Sequence, residues 1–483
     1  MIRMISRFAV GLLCLTVLGA ATAGEAQQQN GWPQWRGPTR QGCSDEKGIP
    51  NSFPTGGLKL LWKSENFSSG ENNDHVQNGS PLIFAGKVYC QAIAEGRKDE
   101  RLLCFDLKDG KKLWEALLCK GTTAANGTPV IDPASKRIYV TPSYAVHGTA
   151  AAPFQVKCLD AESGKEIWFT DGAKVGLEKN LLACAAPLIH EDLLVIVGNE
   201  KVVGLNKLDG KVVWTWPEKL TEREKDKRPQ RDGGPAGEEY YAKLDPKAIC
   251  SMEPSSSPIT IQTGGRTAFL VQVRRLADCC WGASTVALDP KTGRQLWMGG
   301  MLGSYCSPVF ADDTLITFGL EMSQPCYHWL YLAAYKPQWT KDKDQKDQFT
   351  MTEIWRNTKP NECGTRYRES SPVAVNGRVY WIKPDASLNC VEIASGKRLW
   401  THKCGDEGYH LTSPVWADGK IFWMDTMKGK LIVMHDKGNT AETILSQDVC
   451  GQLGATPAIT EGRLVVRDRA WGLHCYEIKP ASK

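Results

Sequence analysis

A motif that recurs along the chain most constrains its fold. Each copy opens with a small residue before proline, continues through β-branched and aromatic runs, reaches an acidic turn with glycine and ends at tryptophan. The copy from Cys158 to Trp168 reads CLDAESGKEIW. Short strands and tight turns with a period of about 40–50 residues are typical of β-propeller blades. Eight prolines open the copies: Pro81, Pro129, Pro187, Pro258, Pro308, Pro372, Pro414 and Pro457.

The two ends of the repeat region complement each other. The last copy runs from Pro457 through Leu473–Tyr476 and stops before a terminal tryptophan strand, whereas Leu58–Trp62 precedes the first proline and has no blade of its own. Pairing these segments would close the ring and cover two exposed edges. We therefore predict an all-β, eight-bladed β-propeller of four-stranded antiparallel blades, closed by an N-terminal strand.

The recurring glycine and tryptophan are predicted to be scaffold residues. A glycine such as Gly164 suits a tight turn that requires positive φ. A tryptophan such as Trp168 offers a large flat surface for packing one blade against the next. The fifth copy keeps Trp355 but carries a polar insertion at 336–350 in place of the acidic turn.

The start of the chain has the features of a secretory signal. Arg3 and Arg7 precede the short apolar run Phe8–Leu18, and Ala21–Ala23 fits a small-x-small cleavage pattern. Cleavage near Ala23–Gly24 predicts a periplasmic or secreted protein. The apolar run is too short for a membrane span. Cys14 follows two leucines rather than a small residue, which disfavours a lipid anchor.

The predicted organisation is a signal peptide at 1–23, an N-terminal extension at 24–57 and the propeller at 58–478. A charged insertion at 217–257, predicted to be a solvated loop, interrupts the propeller. Loss of Arg3 and Arg7 lowers the formal charge from +5 to +3. Because no basic tract alternates with aromatic residues, we predict no nucleic-acid binding.

Cysteine usage fits an exported protein. Removal of Cys14 leaves sixteen of the seventeen cysteines, an even number that permits disulfides in an oxidising compartment. Cysteines at one repeated strand position are predicted to pack in the core: Cys104, Cys158, Cys390 and Cys475. Cysteines in the connections between blades are the better disulfide candidates: Cys119, Cys184, Cys250, Cys306, Cys363, Cys404 and Cys450.

The copy from Ala287 to Trp297, ALDPKTGRQLW, resembles the repeats of pyrroloquinoline quinone (PQQ) enzymes and their PQQ-like propeller relatives. The opening WPQWRGP at Trp32–Pro38 resembles the start of secreted bacterial members, and the resemblance extends to about residue 478. It implies one of two functions. Quinoprotein alcohol dehydrogenases hold PQQ and Ca²⁺ over the central channel, with an aspartate base and adjacent cysteines. Outer-membrane assembly factors of the BamB type bind protein partners and are not enzymes.

Several residues argue against the enzyme. The adjacent pair Cys279-Cys280 lies in the fourth copy, after its first β-rich segments, whereas the quinoprotein pair precedes the inner strands of an early blade. No set of acidic residues and asparagine matches the Ca²⁺ ligands, and no Cys-x-x-Cys-His haem motif is present. We expect a non-catalytic extracytoplasmic scaffold for binding or protein interaction, with no cofactor or metal. The alternative is a PQQ- and calcium-dependent dehydrogenase of an alcohol or sugar.

Candidate binding residues fall on one face of the predicted ring. The connections into each first strand share this face with the loops between strands two and three, and a protein or small-molecule ligand is expected there. The candidates are Glu253, Arg274, Cys279, Cys280, Arg366, Arg368, Glu369 and His410.

Each candidate has a functional and a structural interpretation. Arg366 and Arg368 could bind a carboxylate or phosphate, or could tie neighbouring blades together through Glu369. His410 is either a ligand or base, or a structural histidine. Cys279 and Cys280 form either a strained vicinal disulfide or two free thiols beside Trp281.

Overall fold

The computed structural model describes residues 31–65, 79–93, 99–120, 127–141, 155–175, 177, 185–221, 247–252, 256–275, 283–303, 306–324, 327–357, 370–408, 410, 412–426, 428–449, 455–468 and 472–479. Eight sheets of antiparallel strands form the blades of an eight-bladed β-propeller, which confirms the predicted fold. The described residues also include one 3-10 turn at Gly172–Val175.

Blades 1 to 4 follow one another along the first part of the chain, each running from the channel to the periphery. Their strands are β4 (Leu82–Phe84), β5 (Lys87–Ile93), β6 (Asp99–Asp106) and β7 (Lys112–Lys120); β8 (Val130–Asp132), β9 (Arg137–Val140), β10 (Gln155–Asp160) and β11 (Glu166–Asp171); β12 (Leu188–His190), β13 (Leu193–Val197), β14 (Val202–Asn206) and β15 (Val212–Trp216); and β17 (Ile259–Thr263), β18 (Arg266–Arg275), β19 (Ala283–Leu288) and β20 (Gln295–Gly303).

Blades 5 to 8 continue the same arrangement. Their strands are β21 (Val309–Ala311), β22 (Thr314–Gln324), β23 (Tyr327–Lys341) and β24 (Asp347–Asn357); β25 (Val373–Val375), β26 (Arg378–Ile382), β27 (Ser387–Glu392) and β28 (Arg398–Lys403); β29 (Val415–Ala417), β30 (Lys420–Asp425), β31 (Lys430–Asp436) and β32 (Ala441–Asp448); and β33 (Ala458–Thr460), β34 (Arg463–Asp468), β35 (Gly472–Glu477) and β3 (Lys59–Lys63).

Blade 8 combines strands from both ends of the repeat region. Strand β3 pairs antiparallel with β35, and Lys63 lies opposite His474. The main-chain N–H of Ser64 donates to the carbonyl of Leu473 at 2.9 Å, which extends the pairing beyond the strand. The outermost strand of blade 8 therefore comes from the N-terminal segment, and the predicted closure is confirmed.

Three further strands extend blades. Two belong to the N-terminal segment: β1 (Gly31–Trp32) pairs with β4 of blade 1, and β2 (Cys43–Ser44) pairs parallel with β29 of blade 7. The third, β16 (Ile249–Met252), pairs with β18 of blade 4. Part of the insertion that was expected to be a solvated loop is thus a strand, because its backbone adds to the end of β18.

The repeated tryptophan packs on the repeated glycine of the next blade. A Cβ atom added to that glycine would lie 2.5 or 2.6 Å from the indole ring. The φ angle of the glycine lies between 68° and 74°. Only glycine satisfies both the ring contact and the turn. The pairs are Trp62–Gly110, Trp114–Gly164, Trp168–Gly210, Trp214–Gly293 and Trp355–Gly396.

Two smaller expectations are also resolved. The polar insertion of the fifth copy is a paired extension of β23 and β24, with Trp339 opposite Phe349. Its Trp339 ring lies 3.5 Å from the Arg266 guanidinium of blade 4.

Cys119 and Cys404, expected as disulfide candidates, carry free thiols, whereas Cys104 and Cys158 are buried in the core as predicted.

Candidate functional site

A ring of hydrogen bonds joins the blades at one end of the central channel. We call this end the upper face; it is where the chain enters each innermost strand. The residue before each opening proline is serine or threonine in seven blades and Ala186 in blade 3. At six junctions its hydroxyl accepts the main-chain N–H of the equivalent residue in the preceding blade. The pairs are Ser80–Thr128, Ala186–Ser257, Ser257–Ser307, Ser307–Ser371, Ser371–Ser413 and Ser413–Thr456, at 2.9–3.2 Å.

This hydroxyl belt explains the small residue before proline in the repeat. Each proline lacks an N–H, so the residue before it supplies the donor that faces the next blade. The hydroxyl of a serine or threonine at this position then accepts the main-chain N–H from the preceding blade. Because these groups are buried, each pairing prevents an unsatisfied main-chain donor at the channel wall.

The central channel is filled by residues 31–44, which we call the channel plug. Its residues contact the innermost strands of seven blades around the ring, so the segment lies along the channel axis. The contacts are Trp32 with Ile83, Pro33 with Ile131, Arg40 with Pro187, Gln41 with Phe310, Arg36 with Pro372, Gly42 with Trp416 and Ser44 with Ile459.

The plug is folded by its own small residues. Trp32 is 1% exposed, and Gly37 lies against its ring so closely that an added Cβ would be 2.7 Å away. The carbonyl of Arg36 accepts the N–H of Gly42 at 2.9 Å. The glycines of the WRGPTRQG stretch thus allow a compact loop that a chain with larger side chains could not form in this space.

Beside blades 4 and 5 the plug leaves a cleft of about 760 Å³. It opens toward the lower face, where the turns between the first and second strands of each blade lie. Pro38 and Thr39 form its plug side. Its propeller side is formed by Thr260, Gln262, Phe310, Ala311, Asp312 and Asp313.

Two arginines of the plug point to the upper face and are almost completely buried. Arg36 donates from Nη2 to the carbonyls of Pro372 and Gln41, and Arg40 donates to the carbonyls of Pro187 at 2.7 Å and Ala186 at 3.0 Å. Burial lowers the pKa of Arg36 to about 10 and that of Arg40 to about 9. Both guanidiniums remain charged at neutral pH.

Two of the predicted site residues lie in the described part of the chain, both at the upper ends of their blades. Arg274 is half-buried near the end of β18, and its carbonyl accepts the Cys250 thiol at 3.3 Å. His410 is buried before β29 and meets the Trp423 ring edge-on at 4.8 Å.

The surroundings of His410 disfavour its protonated form. Its Nδ1 lies 3.8 Å from a carboxylate oxygen of Asp425, and its Nε2 lies 3.2 Å from the carbonyl of Asp406. Burial lowers the pKa of His410, and this outweighs the opposing effect of the Asp425 carboxylate. Whether His410 is a ligand or base or a structural histidine stays a prediction.

The other predicted site residues lie outside the described residues: Glu253, Cys279, Cys280, Arg366, Arg368 and Glu369. The structure instead brings forward Arg36 and Arg40, which the repeats could not indicate because they precede the first blade. The signal that could have found them is a pair of arginines four residues apart in a segment rich in tryptophan, glycine and proline.

The described residues contain no group of three or more histidine, cysteine or acidic side chains placed to hold a metal ion. No helix in the described part of the chain is both long and apolar enough to cross a membrane.

Similarity to known proteins is strongest for the fold. In sequence, the chain is 38% identical over 85 residues to a 1-butanol dehydrogenase (cytochrome c) of Thauera butanivorans, which covers 17% of this chain and 12% of that protein. It is 28% identical over 104 residues to the outer membrane protein assembly factor BamB of Burkholderia pseudomallei, covering 22% and 26%. The matches thus span about a quarter or less of these relatives' lengths.

Solved structures show the same fold across nearly the whole chain. BamB of Moraxella catarrhalis has a TM-score of 0.52 at 15% identity, covering 87% of this chain and 99% of that one. A quinohemoprotein alcohol dehydrogenase of Comamonas testosteroni has a TM-score of 0.57 at 14% identity, covering 95% and 82%. The family model described as outer membrane protein assembly factor BamB matches residues 98–301 and 384–481, more than half of the chain. The protein therefore belongs to this family of PQQ-like β-propellers.

Proposed function

We propose that this protein is a non-catalytic propeller that acts outside the cytoplasm as a scaffold for protein interaction. The channel plug carries this proposal. Because residues 31–44 occupy the channel axis and contact the inner ends or strands of seven blades, the chain itself takes up most of the space inside the ring and leaves the cleft beside blades 4 and 5. The surfaces left for a partner are the two faces of the ring, with the cleft beside blades 4 and 5, and the outer edges of the blades.

The outer edges of blades 1 to 3 have the chemistry of a protein-binding surface. Large apolar side chains are exposed on three neighbouring outermost strands, β7, β11 and β15. They are Leu113, Leu117, Ile167, Phe169, Val212 and Val213, with exposed fractions of 39–55%. An outermost strand also has one row of main-chain groups without a neighbouring strand. An extended apolar segment of another protein could add to such an edge.

Two further observations support a role outside the cytoplasm in protein assembly. The signal-like start ends in a small-residue cleavage pattern at Ala21–Ala23. The matching family model and one curated relative are named outer membrane protein assembly factors.

A PQQ- and calcium-dependent dehydrogenase is the second candidate, favoured by the 85-residue similarity to a 1-butanol dehydrogenase. The two buried arginines at the upper end of the channel do not fit the Ca²⁺ ion of that cofactor pair. Ca²⁺ is bound by six to eight oxygen ligands that include carboxylates. At this end, Arg36 and Arg40 instead place two buried positive charges, which would repel a divalent cation.

The enzyme alternative is tested by reconstitution. The full exported chain is incubated with PQQ and Ca²⁺ and assayed for dye-linked oxidation of primary alcohols and aldoses, beside a quinoprotein dehydrogenase reconstituted in the same buffer. We expect no turnover by this protein while the reference enzyme is active. Turnover that is abolished by a calcium chelator would overturn the non-catalytic proposal.

The scaffold role is tested at the outer edge. We expect Phe169→Glu, on β11, to abolish cross-linking of a partner protein in the native host. Ile354→Glu is the matched control, because Ile354 is 44% exposed on the outermost strand β24 of blade 5, away from the apolar edge. If both variants keep the same cross-linked proteins as the parent, the edge of blades 1 to 3 is not the interaction surface.

A further inference from the structure

Among the described residues, the two buried arginines of the channel plug have no carboxylate partner, in contrast to three cations elsewhere in the propeller. Lys207 lies 3.0 Å from Asp132, Arg378 lies 2.7 Å from Asp436, and the buried Lys420 lies 3.5 Å from Asp418. These three cations, whose side chains are 5–27% exposed, are each paired with a carboxylate.

Among the described residues, the partners of Arg36 and Arg40 are neutral. They donate to the main-chain carbonyls of Pro372, Gln41, Pro187 and Ala186, and Arg40 also donates to the side-chain amide oxygen of Gln34 at 3.2 Å. No carboxylate of the described residues forms a salt bridge with either guanidinium. Arg36 is 0% exposed and Arg40 is 3% exposed, so bulk water does not solvate either charge.

Several hydrogen-bond donors of these arginines are also unused. Nε and Nη1 of Arg36 and Nε of Arg40 are buried and have no acceptor within the described ranges of the chain. The hydroxyl of Ser370, two residues before the Pro372 carbonyl that Arg36 contacts, is likewise buried without a partner. A buried guanidinium without a counter-charge, with part of its N–H donors unused, is disfavoured unless a ligand supplies the charge and the missing acceptors.

The positions of the two side chains define a place for such a ligand. Arg40 reaches the start of the innermost strand of blade 3, and Arg36 reaches the start of that of blade 6. Blades 3 and 6 are three positions apart in the eight-bladed ring, so the two arginines contact different sides of the upper end of the channel. Trp35 flanks Arg36, with the guanidinium carbon 5.5 Å from its ring centre.

We propose that Arg36 and Arg40 bind a small oxyanion at the upper end of the channel plug. The chemistry is that of a phosphate or a carboxylate group, whose oxygens accept several N–H donors at once and neutralise guanidinium charge. The site goes beyond the proposed scaffold function and does not depend on it, since it is built from the plug and the channel wall alone.

The test measures anion binding by the full chain, purified in a chloride buffer. Isothermal titration calorimetry is carried out with inorganic phosphate in one arm and citrate in the other. We expect saturable binding of at least one anion with about one site per chain. Saturation by phosphate alone identifies a phosphate site, and saturation by citrate alone identifies a carboxylate site. Absence of saturable binding in both arms would overturn the proposal, provided that no anion is already bound.

Bound anion in the starting protein is measured by ion chromatography after acid denaturation. About one equivalent of phosphate or an organic acid per chain would support the site. No released anion together with no saturable binding would refute it. This measurement uses the parent protein and does not depend on the folding of any variant.

Substitutions then test which residues bind the anion. We expect Arg36→Met and Arg40→Met each to weaken anion binding at least tenfold and Arg36→Lys to weaken it less, because lysine keeps the charge. Arg378→Met is the matched control, since it removes an arginine of blade 6 that is paired with Asp436. If folded Arg36→Met and Arg40→Met variants bind the anion as tightly as Arg378→Met, the ligand lies elsewhere.

Discussion

The indole ring of Trp114 in blade 1 lies directly against the α-carbon of Gly164 in blade 2, where an added Cβ would be 2.5 Å from the ring. The same relationship recurs at four other blade junctions, including the closing junction between Trp62 and Gly110. At that junction the Trp62 indole N–H also donates to the carbonyl of Leu107 at 2.8 Å. The acidic turn and the tryptophan of the repeat are therefore two halves of one contact between neighbouring blades.

Gly164→Ala should destabilise the protein through both the turn and the ring contact. An alanine held at positive φ lowers the free energy of unfolding by about 1 kcal/mol, and displacement of the Trp114 ring lowers it by about 1–3 kcal/mol more. Gly377→Ala is the control, because Gly377 has φ 73° against 70° at Gly164 but nothing within 4 Å of an added Cβ. Denaturant unfolding should show a clearly larger loss for Gly164→Ala. Equal losses would mean that the indole contact contributes nothing to the junction.

Ser307→Ala should weaken the hydroxyl belt. The Ser307 hydroxyl accepts the N–H of Ser257 at 2.9 Å, and its loss leaves that buried donor unsatisfied. We expect a loss of about 1–3 kcal/mol in the free energy of unfolding. Ser307→Thr should be close to neutral, since Thr128 and Thr456 fill equivalent positions. A Ser307→Ala protein as stable as the parent would show that the belt does not stabilise the ring.

Acid should loosen the closing strand. Burial lowers the pKa of His474, which lies opposite Lys63 of β3, to about 4. The unfolded chain, with a histidine pKa near 6.5, therefore binds a proton that the folded chain excludes. Stability is full above about pH 6.5 and falls as the pH drops toward 4, by on the order of 2 kcal/mol. A His474→Gln variant should lose part of this acid dependence. If the free energy of unfolding of the variant falls between pH 6.5 and 4 as steeply as that of the parent, His474 is not the group responsible.

Trp32→Ala should release the plug from the channel wall. Trp32 is 1% exposed and supports the turn at Gly37, so its truncation should cost about 3–5 kcal/mol. Trp35→Ala is the comparison, because Trp35 in the same motif is only half-buried. Thermal unfolding should show a larger loss for Trp32→Ala. A larger loss for Trp35→Ala would mean that the packing of the plug differs from the one described.

The sequence indicated the blades and their closure because these depend on local, repeated patterns. Gly164 and Trp168 recur with their neighbours, and Leu58–Trp62 is identifiable as the missing strand of the last copy. The plug could not be predicted in this way. Its contacts join residues far apart in the chain, such as Arg36 and Pro372, which are 336 positions apart, and they occur once rather than in every copy. Charge patterns consequently favoured Arg366 and Arg368 over Arg36 and Arg40.

Hydrogen–deuterium exchange of the peptide that covers residues 31–44 tests most directly whether the chain fills its own channel. The plug amides of Gly37, Arg40 and Gly42 donate to carbonyls within the plug at 2.9–3.1 Å. We predict that this peptide exchanges on the order of 100-fold more slowly than an unstructured peptide, together with the inner strands β8 and β25. Exchange at the rate of an unstructured peptide while β8 and β25 stay protected would show an open channel and contradict the account.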